Sequence, residues 1–120
     1  MDQNIENQIK QLSQKLRSVF EKQDRNQFAL RTQEQAEADF HELKNRSNRL
    51  FNRILETWHN DRELSHFFIN IRQETQHIER KLTFELENQK ETLLKERRNL
   101  SDSENDLSYQ QQQLAREVNA

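Results

Sequence analysis

The chain of 120 residues contains no glycine, no proline and no cysteine. An average chain of this length would carry about eight glycines and six prolines, and turns that need positive φ draw mostly on Gly. A β-rich fold, which needs several such turns, is therefore excluded, and long helices with few interruptions remain. Without cysteine there is no disulfide framework and no thiolate metal site, which suits a cytoplasmic protein. Without glycine there is no P-loop, Gly-rich phosphate loop or nucleophile elbow. The N-terminal MDQNIENQIKQ lacks the basic start and apolar run of a signal peptide, and no segment is apolar enough to span a membrane. If the protein leaves the cell, it is expected to do so without a cleaved leader.

Apolar residues make up 31% of the chain and charged residues 33%, with a net charge of only −2. A globular domain is about 45–50% apolar, so a thick core is out of reach and a narrow helical seam is not. Leu, Ile, Val and Phe still number 29, above the share at which disorder becomes the default. Positions stepping by four and three in the first half read Ile5, Ile9, Leu12, Leu16, Val19, Gln23, Asn26, Leu30, Gln33, Glu37, Phe40, Lys44, Ser47, Phe51, Ile54, Trp58. That is a helical seam with a polar middle. Ala36, Leu43 and Leu50 widen it. Glu42 with Arg46 is one of several favourable i, i+4 pairs.

In the second half the same steps give Leu64, Phe68, Ile71, Thr75, Ile78, Leu82, and then the pattern slips to Leu86. Leu86, Leu93, Leu100, Leu107 and Leu114 follow at heptad spacing, and the slip is a stutter that relaxes left-handed supercoiling. The alternate positions, Gln89, Glu96, Ser103 and Gln110, are polar, so this distal seam is one leucine wide.

The pattern breaks at Trp58-His59-Asn60-Asp61, where a hairpin turn is expected. Asn60 is the substitute for a turn glycine, because Asn tolerates the left-handed region, and Asn60 with Glu63 resembles a capping box. The expected fold is all-α, a single antiparallel, coiled-coil-like hairpin domain over residues 1–120. Helix 1 runs over about 3–58, the turn over 59–61 and helix 2 over 62–114, with a tail at 115–120 that frays.

Folding near residue 60 lays residue i against 120 − i. Phe40, Leu43, Leu50, Phe51, Ile54, Leu55 and Trp58 then meet Leu64, Phe67, Phe68, Ile71, Ile78, Leu82 and Phe84, so the turn-proximal half packs itself. Phe40, Leu43, Phe51, Ile54, Leu64, Phe68, Ile71, Ile78 and Leu82 are the expected hairpin core. The distal half pairs a polar stretch with the thin leucine ladder and looks unfilled. One leucine per heptad, worth about 1.5–3 kcal/mol at full burial, barely offsets the ordering of seven residues at about 1–2 kcal/mol each. Ile9, Leu12, Leu16, Val19, Leu86, Leu93, Leu100 and Leu107 are therefore the expected partner-binding residues.

Glu56-x-x-His59 and Glu74-x-x-His77 have the spacing of di-iron ligands in helical bundles. At 1.5 Å per residue, however, the two sites lie about 25 Å apart along the hairpin. No metal or other cofactor, and no enzymatic activity, is expected. The basic run Lys95–Arg98 is interrupted by Glu96 and followed by SDSEND, so no nucleic-acid face is expected either.

Trp58-His59-Asn60 at the centre of a small all-helical chain resembles the WXG-type proteins of type VII secretion, in which a Trp-x-Gly turn joins two antiparallel helices and partners form four-helix complexes. Asn stands here in place of Gly. The Tyr-x-x-x-Asp/Glu export signal of that family is not matched, because Tyr109 is followed by Gln113. EADFHELKNRSNRLF (37–51), ETWHNDREL (56–64) and RKLTFELENQKETLLKERRNL (80–100) are similar to the small LXG-toxin-associated α-helical proteins of Gram-positive bacteria, a likeness covering residues 10 to 114. That resemblance implies a targeting factor or export chaperone that acts in the cytoplasm and either stays there or is co-exported. It would bind the helical N-terminal LXG domain of a cognate toxin beside a second small WXG-like protein. The alternative is a self-associating structural coiled coil, a homodimer or tetramer of hairpins.

Overall fold

In the computed structural model, which describes residues 3–119, the chain is an antiparallel helical hairpin. Helix α1 runs from Gln3–Thr57 and helix α2 from Arg62–Asn119. Helix α2 thus continues past position 114, where the sequence reading ends it. Ala115, Arg116 and Glu117 are sound helix formers, and residue 120, the end of the expected tail, lies outside the described residues.

The reversal falls on Trp58, His59, Asn60 and Asp61, but it works differently from the expectation. No described residue has positive φ, so Asn60 does not take the left-handed conformation. The Asp61 N–H donates to the Trp58 carbonyl at 3.0 Å, closing a tight turn of the kind whose central residues need no positive φ. The end of α1 is satisfied locally. Thr57 Oγ1 donates to the Arg53 carbonyl at 2.9 Å, the Trp58 N–H to Ile54 at 3.0 Å, and His59 Nδ1 lies 2.7 Å from the Glu56 carbonyl. The cap of α2 is Asp61, one residue later than expected. Its Oδ1 accepts from the Leu64 N–H at 3.0 Å, while the Ser65 hydroxyl ties the new helix back to the Trp58 carbonyl at 2.6 Å.

The hairpin divides into two compact units. Unit 1 joins the chain up to Arg31 with the chain from Glu91, and unit 2 is Thr32–Lys90. In both, the α1 seam follows the expected positions. Every one from Ile5 to Ile54 is buried or half-buried.

Unit 1, expected to be unfilled, holds most of the buried apolar side chains: Leu12, Leu16, Val19 and Leu30. Across from them Leu93, Leu100, Leu107 and Leu114 are half-buried. The polar middle is satisfied rather than open. Asn26, 3% exposed, donates from Nδ2 to the Leu93 carbonyl at 2.9 Å, and Gln23 donates to Glu104 at 2.9 Å.

Unit 2 repeats the device. Gln33 donates to the Leu86 carbonyl at 2.7 Å, and Lys90 Nζ lies 3.4 Å from Glu37 Oε2. Residue 26 meets 93 and 33 meets 86, one residue from the pairing expected of a fold about position 60.

Helix α2 departs from the sequence reading in phase. Its seam passes from Thr75 to Glu79 and Thr83 before reaching Leu86, and then uses Lys90, Glu104 and Gln111; all are half-buried. Gln89, Glu96, Ser103 and Gln110, the expected alternates, are exposed. The stutter therefore lies at 75–79 instead of 82–86. Ile78 and Leu82 drop out of the seam, and the expected core contracts. Phe51 is buried, Phe40, Ile54, Leu64, Phe68 and Ile71 are half-buried, and Leu43, Ile78 and Leu82 are exposed. Trp58 is also exposed and does not close the seam.

Two pairs of variants test this arrangement by urea unfolding. Leu16→Ala, at a side chain only 7% exposed, should cost about 2 kcal/mol or more, and Leu43→Ala, at 62% exposed, within about 0.5 kcal/mol. Equal losses would contradict the burial pattern. Asp61→Ala should cost about 1 kcal/mol, with Asn60→Ala close to neutral; the reverse order would return the cap to Asn60.

Candidate interaction surface

The displaced apolar residues of unit 2 obey a simple rule. Each comes one position before a seam residue: Leu43 before Lys44, Leu50 before Phe51, Phe67 before Phe68, Ile71 before Arg72, Ile78 before Glu79 and Leu82 before Thr83. One residue is a rotation of about 100° around a helix, so all six lie to the same side of their own helix's seam. In an antiparallel pair, equal offsets from the two seams fall on one face of the hairpin. Leu43, Leu50, Phe67, Ile78 and Leu82 are exposed there, and Ile71 is half-buried. Phe67 is held edge-on to Phe68, with ring centroids 5.4 Å apart and planes at 69°, a favourable aromatic geometry.

Charged residues rim this face, with arginines on α1 toward the turn and glutamates along α2. Before the seam residues Ser47 and Ile54, α1 carries Arg46 and Arg53, with Asp39 before Phe40. Before Leu64, Thr75 and Leu86, α2 carries Glu63, Glu74 and Glu85. Arg46 Nη2 lies 2.7 Å from Glu42 Oε1 on its own helix, and both side chains are well exposed. The residues that follow seam positions form the opposite flank. Among them are His41, Asn45, Asn52, Gln73, Arg80 and Glu87, with Ile69 and Phe84 exposed and Leu55 half-buried as the large apolar exceptions. A shallow groove on that side runs past His41, Lys44, Thr83 and Lys90, with Lys44 Nζ 5.8 Å from the centre of the Phe40 ring.

Unit 1 offers no such surface. The residues before its seam positions are polar or charged, among them Gln11, Lys15, Ser18, Lys22 and Arg25 on α1 and Thr92, Glu96, Asn99, Ser103, Asp106 and Gln110 on α2, with the small Ala29 before Leu30 the apolar exception. The residues expected to bind a partner lie along the chain's own seam. Leu12, Leu16 and Val19 are buried, and Ile9, Leu86, Leu93, Leu100 and Leu107 are half-buried. The surface the sequence reading missed was accessible to it in principle. Stepping back from Leu86 by three and then by fours gives Thr83, Glu79 and Thr75, which leaves Ile78 and Leu82 outside the seam. The apolar character of those two residues drew the expected seam onto them.

Among the described residues, no group of three or more His, Cys, Asp or Glu is arranged to hold a metal ion. His59 of the first Glu-x-x-His pair is engaged with the Glu56 carbonyl in the turn. No described helix is long and apolar enough to cross a membrane.

No curated protein and no solved structure matches the chain. A family model does match, over residues 7–114. That span covers most of both helices and the turn between them, and the chain accordingly belongs to the family described as Protein of unknown function (DUF3958).

Proposed function

We propose that the chain is a non-enzymatic helical adaptor, acting in the cytoplasm, that binds the helical N-terminal LXG domain of a cognate toxin and helps direct it to type VII secretion. A second small WXG-like helical protein would complete the complex. The observation that carries this reading is the apolar face of unit 2, formed by Leu43, Leu50, Phe67, Ile71, Ile78 and Leu82 beside the seam that the two helices share. The likeness of 37–51, 56–64 and 80–100 to LXG-toxin-associated proteins supplies the kind of partner.

An amphipathic helix laid along this face would cover its own apolar stripe and the hairpin's together. Each large side chain buried there contributes up to about 1.5–3 kcal/mol before the cost of association is deducted. The adaptor's work would be to keep an elongated helical domain packed and to present a joint surface to the export machinery. The polar amides and leucines of unit 1 would hold the hairpin together during that task.

The test is co-expression of the tagged chain with the LXG protein encoded beside it, followed by affinity capture. The wild-type chain should bring the LXG domain down stoichiometrically. Ile78→Asp combined with Leu43→Asp should weaken capture by well over tenfold, about 1.4 kcal/mol per factor of ten, with the helical circular dichroism signal retained. Tyr109→Asp, at an exposed position of unit 1, should leave capture unchanged. A wild-type chain that brings down no LXG domain would sink the adaptor reading.

A further inference from the structure

We propose that in the free protein the apolar face of unit 2 is covered by the same face of a second copy, so that self-association and cargo binding exclude each other. The exclusion rests on the adaptor reading; the dimer does not.

Around the face, α1 carries Arg46 and Arg53, with Asp39 at the end of that edge away from the turn, and α2 carries Glu63, Glu74 and Glu85. A surface with arginines along the turn-proximal part of one edge and glutamates along the other is complementary to itself there if two copies meet with α1 of each along α2 of the other. A two-fold axis parallel to the helices produces that meeting and keeps every residue at its own level along the hairpin. The internal pairing already sets those levels, because residue 33 lies across from 86. By the same count residue 46 lies level with 73 and residue 53 with 66. Arg46 of one copy then comes beside Glu74 of the other, and Arg53 near Glu63.

The apolar residues follow the same levels. Leu43 of one copy comes beside Ile78 of the other, and Leu50 comes between Phe67 and Ile71. The intrahelical contact of Arg46 with Glu42 does not exhaust a guanidinium, which has five donors. The other face-to-face arrangement, with the two-fold axis across the helices, sets Arg46 near its own copy and Glu74 near its own. Like charges then face each other on both edges, which disfavours it.

The size of the face is also adequate. Two helical segments of about twenty residues, each about 30 Å long and about 10 Å across, present roughly 600 Å² side by side. Stable interfaces cover about 800 Å² per partner, so the face is near that scale before rim side chains are added. Unit 1, polar on the corresponding flank, offers no competing surface.

Sedimentation velocity on the full chain reads this directly. The wild type should be a dimer, and Leu43→Asp with Ile78→Asp a monomer of unchanged helix content. Arg46→Glu and Glu74→Arg should each weaken the dimer by about tenfold, and the two together should restore it. Glu42→Gln, which removes the partner of Arg46 on its own helix, should leave the dimer intact. Two results would overturn the proposal: a wild-type chain that stays monomeric at every concentration, or a charge exchange that restores nothing. A monomer that still captures the LXG domain would overturn the dimer and leave the adaptor reading standing. A dimer that captures no LXG domain would overturn the adaptor reading and leave the dimer.

Discussion

Two side-chain amides set the terms on which these helices meet. Asn26 and Gln33 are 3% and 6% exposed, and a buried amide without a partner costs about 1–3 kcal/mol. Each finds its partner in a main-chain carbonyl of α2, Leu93 for Asn26 and Leu86 for Gln33. The amides are one heptad apart, and so are the carbonyls. A slip of one residue would misplace both donors, so each unit is held in a defined register by a polar group where a row of leucines would tolerate several. Buried Asn in coiled coils is the best-attested use of a polar core residue for this purpose.

The phase of α2 follows from that register. With Leu86 and Leu93 turned toward the amides, the steps back from Leu86 lead to Thr83, Glu79 and Thr75. Glu79 and Thr83 enter the seam at half-burial, where a long or small side chain can keep its polar end in water. Ile78 and Leu82 are rotated onto the flank, where Leu43 and Leu50 already stand on α1. The polar pairing inside the hairpin and the apolar face outside it are thus two results of one choice of phase. The leucine ladder is half-buried within the chain, and the exposed apolar surface appears nearer the turn.

How much of this is legible in the residues differs by element. The α1 seam is readable position by position from Ile5 to Ile54, because its four-and-three spacing continues through Gln23, Asn26, Gln33 and Glu37 without a break. The α2 seam is not, because two rules conflict at residues 75–86. Hydrophobicity favours Ile78 and Leu82, while continuity with Leu86 favours Glu79 and Thr83. At the turn, the position is visible from the break in periodicity, but the choice between Asn60 and Asp61 as cap depends on where the first N–H groups of α2 point.

The sequence by itself determined that this protein is a pair of long helices reversing at residues 58–61. Chains without glycine and proline have few other ways to be regular, and a 3.6-residue period survives even a polar seam. Only the tertiary structure decided which α2 residues share that seam and which are left outside. A helix carries several stripes of comparable apolarity, and the choice among them is made by partners across the interface. Here the deciding partners are two carbonyl oxygens, and no feature of a side-chain pattern reports what a main-chain carbonyl will accept.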